Sequence, residues 1–356
     1  MKMCESFARI GYQVTLVARK ATIKIPENEV FAFYDVDPLF SIRYTTKRLP
    51  DAYGVIHTVR STLFALRSNS SILYGRHIPS CMLSGAIIKN VGLELHEAHA
   101  IGGWLSRRIF RMAIRKHWIR PVVVISNALR KDVEEIVSDD ALIISVAHDG
   151  TALVDSKERM EQVKHGSRER ISVAYVGHLY RGKGMEIIPA LAKSLPTVDF
   201  HVVGGDQSAV EAAKLETRWL PNLFVHGFVP PAEARRFIQC CDIAIAPYQA
   251  TVMVAGLGRD VSKWMSPLKI FEYMGAGKAI VCSDLPVIRE ILRNEETALL
   301  VCSDDIGEWV RAVRRLASDR DLRHRLGVAA KSEAGKYSWA ARAKKIIGLL
   351  DGNLCP

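Results

Sequence analysis

The chain has 356 residues, of which 49% are hydrophobic and 24% are charged. This composition excludes a disordered chain, and the length exceeds the roughly 250 to 300 residues at which single cores stop growing, so we expect two domains. No apolar run approaches the ~20 residues of a membrane-spanning helix, and the first residues lack the apolar core of a signal peptide. We therefore expect a cytoplasmic protein.

The cysteine pattern and the net charge indicate which kinds of site and partner to expect. The seven cysteines are odd in number, scattered and without paired CxxC spacing, so we expect reduced thiols rather than zinc or redox sites. The formal net charge of +11 favours anionic partners. The excess is concentrated, because no acidic residue lies between Glu97 and Asp132.

The chain opens with a helical pattern from Cys4 to Ile10, and the first predicted strand, QVTLVAR, follows it. Further strands of the first half are predicted at SSILYG, KNVGLELHE, VVVISNA and LIISVAH. A Rossmann-like domain normally begins with a strand and a glycine-rich turn, and that strand lies in mid-sheet. We therefore expect the first domain to lack its first strand, which leaves two neighbours with unpaired backbone groups. Either the true start lies upstream or the domain is impaired.

His96 stands between Glu94 and Glu97 at the end of an apolar predicted strand. Ligands gather at the carboxyl ends of parallel strands, and neighbouring carboxylates can raise the pKa of a histidine or fix its tautomer. The alternative is a half-buried histidine bonded to backbone. No group of His, Cys and carboxylate residues has metal-ligand spacing and no GxSxG occurs, so we expect neither a metal nor a serine nucleophile.

Basic and apolar residues interleave between Trp104 and Trp118 as in an amphipathic helix. Such a helix can rest on an anionic membrane, or it can pack its apolar side on its own sheet and solvate its charges; both can hold together. The apolar positions are Trp104, Leu105, Ile109, Met112 and Ile114. The basic residues that we assign to membrane contact are Arg107, Arg108, Arg111, Arg115 and Lys116.

Short apolar runs such as ISVAYVG and KAIVCSD alternate with helical patterns between residues 171 and 303. This rhythm predicts a doubly wound α/β domain with a buried parallel sheet. The polar stretch 155–170 predicts a surface connection between the halves. We therefore predict a first domain over residues 1–155, a second over 156–336, and a C-terminal helix over 337–356 that crosses back to the first.

A glycine-rich loop from Gly177 to Gly184 follows the predicted strand ISVAYV. Its backbone can approach a ligand closely, and Lys183 can place a charge on a phosphate. The loop does not satisfy the Walker pattern GxxxxGK[ST]. An ordinary turn between strand and helix explains it about as well.

The strongest local signal lies in residues 266–277, SPLKIFEYMGAG. Ser266 as N-cap, Pro267 at the first helical position and a glycine past the last turn predict a short helix. The free N–H groups and positive dipole end at Ser266, Pro267, Leu268 and Lys269 suit a diphosphate. Glu272 can accept hydrogen bonds from a ribose, or it can lie on a solvated face.

Residues 266–292 resemble the donor-site segment of the retaining glycosyltransferases of family four, which have the GT-B fold. YVGHLYRGKG, VAHDG, ISNAL and ELHE resemble other blocks of that family in the same order, so the resemblance covers essentially the whole chain. It implies two Rossmann-like domains facing across a cleft. It also implies transfer of a sugar, with retention, from a nucleotide-sugar donor to a glycan or lipid-linked acceptor in cell-envelope polysaccharide synthesis, and it allows a location at the inner face of the cell membrane.

The resemblance implies roles for individual residues. Lys183 neutralises the donor diphosphate, the turn from Ser266 to Lys269 binds its oxygens, and Glu272 holds the ribose. His96 lies beside the transferred sugar and stabilises charge at the anomeric carbon. The donor-binding set also includes Gly177 and His178. Many relatives have a phosphate-binding arginine at the position of His178.

The sequence departs from the family at one further point. Many relatives carry two glutamates eight positions apart, and here Trp264 stands where the first is expected while Glu272 is the second. No metal and no nucleic acid partner are expected. The alternatives are a catalytically impaired nucleotide-sugar-binding protein and a GT-B sugar-nucleotide epimerase, whereas a nicotinamide dehydrogenase fits poorly because no GxGxxG follows an N-terminal strand.

Overall fold

The computed structural model describes residues 1–19, 25–45, 54–152, 170–253 and 260–352. The chain divides into two compact units, the N-terminal unit (Met1–His148 with Trp339–Pro356) and the C-terminal unit (Asp149–Ser338). The predicted surface connection over residues 155–170 lies outside the described residues, apart from Arg170.

The described strands of the N-terminal unit are all paired in parallel and form two separate sheets, ordered β1-β2 and β3-β4-β5-β6. They are β1 (Thr15–Ala18), β2 (Ser41–Tyr44), β3 (Leu73–Gly75), β4 (Val91–Leu95), β5 (Val122–Val124) and β6 (Ile144–Val146). The sequence analysis missed β2. Only Ile42 of this short edge strand is buried, so it lacks the continuous apolar run of a central parallel strand. The predicted lack of a first strand stays a prediction.

Helices connect these strands. They are α1 (Lys2–Arg9), α2 (Glu27–Tyr34), α3 (Val55–Arg67), α4 (Ile78–Gly85), α5 (Trp104–Arg115) and α6 (Asn127–Val137). The helices α4, α5 and α6 each join neighbouring parallel strands in the same direction across the sheet. Because such crossovers are right-handed, all three lie on the same face of the sheet.

The C-terminal unit has one six-stranded parallel sheet in its described residues, ordered β12-β11-β10-β7-β8-β9. Its strands are β7 (Ile171–Val176), β8 (Val198–Val203), β9 (Leu223–Gly227), β10 (Ile243–Ala246), β11 (Ala279–Ser283) and β12 (Leu299–Val301). Its helices are α7 (Ile188–Ser194), α8 (Gln207–Thr217), α9 (Pro231–Cys240), α10 (Leu268–Gly275), α11 (Ile306–Ser318) and α12 (Arg320–Ala334).

Helices cover both faces of this sheet, as the side chains of β10 show. Ile243 and Ile245 point into one hydrophobic cluster, and Ala244 and Ala246 point into another. Alternation of this kind with every residue buried is the signature of a doubly wound sheet. The prediction of two Rossmann-like α/β domains with parallel sheets is therefore confirmed.

The last helix, α13 (Trp339–Leu350), belongs to the N-terminal unit and is anchored on β4. Arg342 is 4% exposed and donates to the carbonyl oxygens of His148 and Ala147, at 2.8 and 3.2 Å. Its guanidinium also pairs with Glu94 at 3.1 Å. At the other end of the helix, Leu350 packs so closely over Gly92 that a Cβ there would lie 2.9 Å away.

Glu94 is 1% exposed and still ionised, because the protein surrounds it with donors. The Tyr74 hydroxyl donates to one oxygen, and Arg76 pairs with the other at 2.8 Å. Burial alone would raise the pKa of Glu94, but the hydrogen bond from His96 and the charges of Arg342 and Arg76 outweigh it and hold the pKa well below 4.5. This carboxylate therefore joins β3, β4 and α13.

We expect Arg342→Met to lower the free energy of unfolding by about 3 kcal/mol, because it strips a buried carboxylate of its most buried cation. The native pKa of Glu94 lies below its unfolded value, so its stabilisation is present above about pH 4.5 and is lost as the pH falls. In the variant that native pKa rises, so the pH-dependent loss of stability is smaller and is complete at a higher pH. Urea unfolding at a series of pH values measures both effects.

The control is Lys344→Met, which removes an exposed cation from the same helix. We expect it to change stability by less than about 0.5 kcal/mol. Equal stabilities of the two variants would show that the Glu94–Arg342 pair does not anchor α13.

Candidate functional site

The sheet of the C-terminal unit reverses its winding direction between β7 and β10. From β7 the chain builds outward through β8 and β9, then returns to add β10, β11 and β12 on the other side. In open α/β sheets, ligands bind outside the carboxyl ends of the strands at this point. The segments that follow β7 and β10, beginning at Gly177 and Pro247, therefore line the expected crevice.

The carboxylate of Glu186 fixes the backbone of the glycine-rich loop after β7 through hydrogen bonds. The amides of Gly182 and Gly184 donate to the two oxygens of Glu186, at 2.6 and 3.1 Å. Gly184 has a φ of +110°, and a Cβ there would lie 2.3 Å from Pro247 Cγ, so this close approach to the segment after β10 requires glycine. The sequence analysis missed Glu186, although a carboxylate just after a glycine-rich loop was a usable signal.

Lys269 brings a buried ammonium group to this point. The residue is 8% exposed, and its Nζ lies 3.8 Å from the centroid of the Tyr175 ring and 4.7 Å from that of Tyr248. A Cβ on Gly177 would lie 3.2 Å from the same nitrogen. Among the described residues Nζ has no hydrogen-bond partner. The electron-rich ring faces compensate part of the charge, but the N–H donors still lack acceptors.

A second lysine shares the crevice. Lys183 is half-buried, and its Nζ lies 5.5 Å from the centroid of the Tyr248 ring. Burial lowers the pKa of Lys183, while burial and then the charge of Lys183 lower the pKa of Lys269 well below 10.5. An entering anion would favour the charged form of both amines. The pair therefore suits a ligand with more than one negative charge.

His178 lies in the same loop and stacks on Tyr180, with ring centroids 4.9 Å apart and planes inclined by 5°. Desolvation, followed by the charges of Lys183 and Lys269, lowers the pKa of His178 below 6.5. The free ring is therefore neutral at pH 7 and donates through one nitrogen. A bound anion would oppose this shift.

The helix predicted over residues 266–275 begins at Leu268, with Pro267 in the N-cap position. The prediction of Ser266 as the N-cap was wrong. Its hydroxyl instead accepts a hydrogen bond from the backbone N–H of Asp149 at 2.8 Å, and no side chain caps the helix. The first-turn amides of Leu268 and Lys269 therefore stay available at the positive end of the helix dipole. The predicted glycine ending is present, since Gly277 follows the last turn with a φ of +66°.

Glu272 lies one turn into α10 and is half-buried. Burial dominates the pKa shifts of Lys269 and Tyr248, but the charge of Glu272 contributes to both, so the carboxylate lies near them. Trp264, at the position of the missing first glutamate, is 6% exposed. It therefore occupies the core and brings no charge.

The predicted donor-site residues of the C-terminal unit all lie at the carboxyl edge of its sheet. They are Gly177, His178, Lys183, Ser266, Pro267, Leu268, Lys269 and Glu272. The sequence analysis missed the two aromatic rings under Lys269. Both tyrosines stand at the ends of predicted strands, in ISVAYV and CDIAIAPY, and that position was the only signal available.

The remaining predicted catalytic residue, His96, lies in the N-terminal unit directly after β4. Its Nε2 lies 2.6 Å from Oε1 of Glu94. Because Glu94 is ionised, it accepts, so Nε2 of His96 carries a hydrogen and donates it to Glu94. Glu94 thereby sets the tautomer and the direction of the ring.

We expect Lys269→Met to raise the free energy of unfolding by about 1 to 2 kcal/mol, because a charge without acceptors leaves an aromatic environment. The same change should weaken binding of a nucleoside diphosphate about 10- to 100-fold through loss of a charge-assisted hydrogen bond. In the unsubstituted protein, binding takes up a proton, so the affinity falls by up to about tenfold per pH unit above the lowered pKa of Lys269. Calorimetric titration over a pH series and thermal unfolding test these effects.

The matched control is Lys278→Met on the same segment. The Nζ of Lys278 donates to the carbonyl oxygens of Gln239 and Cys241, at 2.6 and 2.8 Å. We expect this variant to be destabilised and to bind the nucleotide normally. If Lys269→Met behaved in the same way, Lys269 would be a packing residue and the anion site would be refuted.

Comparison with known proteins gives the family of this site. Residues 170–319, from β7 through α11, match the family model of the Glycosyl transferases group 1. The sulfoquinovosyl transferase of Arabidopsis thaliana is 24% identical over 194 residues, which cover 54% of this chain and 35% of that protein. The phosphatidyl-myo-inositol mannosyltransferase of Mycolicibacterium smegmatis is 24% identical over 231 residues, which cover 63% of this chain and 55% of that protein.

The chain spans less than two thirds of the length of the curated relatives it matches, between 28% and 40% for three of them. Solved structures cover it almost completely. Sucrose-phosphate synthase from Thermosynechococcus elongatus has a TM-score of 0.73 at 15% identity and covers 99% of this chain and 92% of its own. Anabaena HepE, solved in complex with UDP-glucose, has a TM-score of 0.63 at 14% identity, covering 95% of this chain and 99% of its own. The chain thus has the GT-B fold of these solved structures, and its residues 170–319 match the Glycosyl transferases group 1.

Proposed function

We propose that the protein transfers a sugar, with retention, from a nucleotide-sugar donor to a glycan or lipid-linked acceptor in cell-envelope polysaccharide synthesis. The observation that carries this proposal is the buried ammonium group of Lys269 at the switch point of the sheet, for which the described residues provide no acceptor. A diphosphate supplies both the acceptors and the negative charge that Lys269 and Lys183 require. The complex of HepE with UDP-glucose supports a uridine nucleotide as the first donor to test.

In this proposal the diphosphate lies between the loop after β7 and the start of α10. Lys183 and His178 donate to it from one side, and the amides of Leu268 and Lys269 donate from the other. Gly177 has no side chain to obstruct the approach. The carboxylate of Glu272 accepts hydrogen bonds from the ribose hydroxyls.

The reaction breaks the bond between the anomeric carbon and the diphosphate oxygen and forms a bond from that carbon to the oxygen of an acceptor hydroxyl, whose proton passes to the departing diphosphate. Negative charge develops on the departing diphosphate, where Lys183 and Lys269 stabilise it. This positive charge takes the place of a divalent ion, so we propose that no metal is needed. For His96 we propose a role at the transferred sugar. Its imidazole orients the sugar hydroxyls and stabilises the positive charge that develops at the anomeric carbon.

We expect Lys183→Ala to lower kcat about 100- to 1000-fold, the effect of removing one donor to a developing anion. The control Lys214→Ala removes an exposed lysine of α8 and should keep full activity. The assay follows radioactive sugar from a panel of nucleotide sugars into lipid-linked acceptors, with and without a chelator. Native turnover in Lys183→Ala would exclude the role of this residue, and loss of activity with the chelator would refute metal independence.

The same assay separates the alternative functions. Donor conversion without any acceptor would indicate a sugar-nucleotide epimerase. Nucleotide binding without transfer or hydrolysis would indicate a protein that kept the donor site and lost catalysis. Transfer that requires both donor and acceptor supports the proposal.

For the acceptor we propose a molecule at the inner face of the cell membrane, reached by peripheral contact through α5. This helix buries Phe110, Ala113 and Ile114, while Trp104 is 75% exposed and Leu105 is 53% exposed. None of the described helices is long and apolar enough to cross a membrane. The relative from M. smegmatis acts, by its name, on phosphatidyl-myo-inositol, which is a lipid.

The basic residues of α5 divide into two groups. Arg111 donates to the carbonyl of Val137, and Arg115 pairs with Asp139 at 2.6 Å, so both hold α5 against the end of α6. Arg108 and Lys116 are exposed. These two are the charges that an anionic headgroup can reach most directly.

We expect the double variant Arg108→Gln with Lys116→Gln to weaken binding to anionic vesicles about thirtyfold, since each cation near such a surface contributes about 1 kcal/mol. Added salt should weaken binding of the unsubstituted protein as well. The control removes Lys214 and Arg218 of α8 in the same way, and it should bind normally. Equal binding by both double variants would exclude α5 from the contact.

A further inference from the structure

The helix α3 has its polarity reversed relative to a surface helix in water. Its inner side is polar: His57 bonds to the hydroxyl of Thr45 at 2.7 Å, and Thr62 bonds to Ser84 at 3.0 Å. His57 is 8% exposed and Thr62 is 3% exposed. A helix that packs on a globular core normally buries its apolar side and leaves its polar side in water.

The outer side of α3 is apolar. Val55, Val59, Leu63 and Leu66 are 59%, 45%, 43% and 41% exposed. Residues at this spacing of three and four lie on one side of a helix, so the four side chains form a continuous stripe. Among the described residues, nothing covers this stripe.

Exposed apolar residues also occur on α4, which packs against α3, and on α5. Hydrogen bonds of 3.0 Å from Ser61 to Ser80 and between Thr62 and Ser84 hold α3 against α4. Right-handed crossovers place α4 and α5 on the same face of the sheet. Ten of the twenty exposed large hydrophobic residues of the described chain fall between Val55 and Met112, on or beside these three helices. The stripe of α3 is itself continuous, and contiguous exposed apolar surface marks an interaction site.

The charge of this segment is almost entirely positive. From residue 52 to residue 131 the sequence has twelve lysines and arginines and two acidic residues. One of the two, Glu94, is buried and paired with arginines. Two copies of this chain that met through the surface would bring like charges together, which opposes self-association. An anionic bilayer offers both an apolar interior and negative headgroups.

We propose that α3 is a second membrane-docking element, which lies in the plane of an anionic bilayer and inserts the stripe Val55–Val59–Leu63–Leu66 beside α5. The inference deepens the membrane part of the proposed function and rests on it. Arg67, exposed at the border of the stripe, contacts lipid headgroups, whereas Arg60 donates to the carbonyl of Thr45 at 2.6 Å. The membrane contact therefore consists of a helix pair rather than of α5 alone.

The experiment compares three double variants of the full chain in co-sedimentation with vesicles of phosphatidylglycerol and phosphatidylcholine in equal parts. Val59→Ser with Leu63→Ser makes the stripe polar, and we expect it to weaken binding about tenfold or more. Val59→Ile with Leu63→Ile keeps the stripe apolar and should bind normally. The matched control, Leu215→Ser with Val328→Ser, makes the same changes at exposed helix positions of the C-terminal unit, where the two side chains are 67% and 55% exposed.

Circular dichroism checks that each variant is folded, which we expect because all the altered side chains are exposed. Binding of the serine stripe variant that equals that of the control would overturn the proposal. So would equal binding of the unsubstituted protein to pure phosphatidylcholine vesicles, since the proposal requires anionic lipid. A lipid-free dimer that the serine substitutions convert to a monomer would also overturn it, by showing that the stripe joins two copies.

The outcomes separate this inference from the rest of the proposed function. If only the α5 charge variant loses vesicle binding, α3 is excluded and the contact through α5 stands. If the unsubstituted protein binds no anionic vesicles, both membrane proposals fail. Titration with UDP-glucose contains no lipid, so it tests the donor site independently, and the serine stripe variant should bind the nucleotide as the unsubstituted protein does.

Discussion

A buried ammonium group requires negative charge, and the part of the chain that the structure describes gives Lys269 only the faces of two aromatic rings. Tyr175 and Tyr248 are themselves fixed by the sheet, one at the end of β7 and the other just after β10. The position of the cation is thus determined by the strand order and not by flexible loops. Because the rings accept no strong hydrogen bonds, the N–H groups of the amine remain available to the anionic ligand that we propose.

The two units treat a buried charge in opposite ways. In the N-terminal unit, Glu94 is surrounded by donors from three elements, and its pKa falls because the charged form is compensated. In the C-terminal unit, Lys269 has no such partner, and its pKa falls because the charged form is penalised. The first arrangement stabilises the fold and orients His96. In the second arrangement the N–H donors of Lys269 remain without acceptors among the described residues, and we propose that an anion supplies them.

The N-terminal unit also has exposed apolar side chains that its own described residues do not cover. A helix exposes an apolar stripe in water only at a cost in free energy, unless another phase covers it. The reversed polarity of α3 and the exposed Trp104 of α5 occur in one segment of the chain, which has almost no negative charge. A lipid-linked acceptor and a membrane-docked enzyme are mutually consistent, because docking restricts the search for the acceptor to two dimensions.

The sequence by itself determined the parallel strands of both units, apart from β2, because buried parallel strands are continuous apolar runs that need no knowledge of their neighbours. It also determined the glycine-rich loop with Lys183 and the short helix with Lys269, since both are local signals. Only the tertiary structure decided what lies under Lys269, that Ser266 bonds to Asp149 instead of capping its helix, and that α3 faces outward with its apolar side. The physical reason is that each of these depends on partners distant in the chain, and local pattern carries no information about which distant groups will meet.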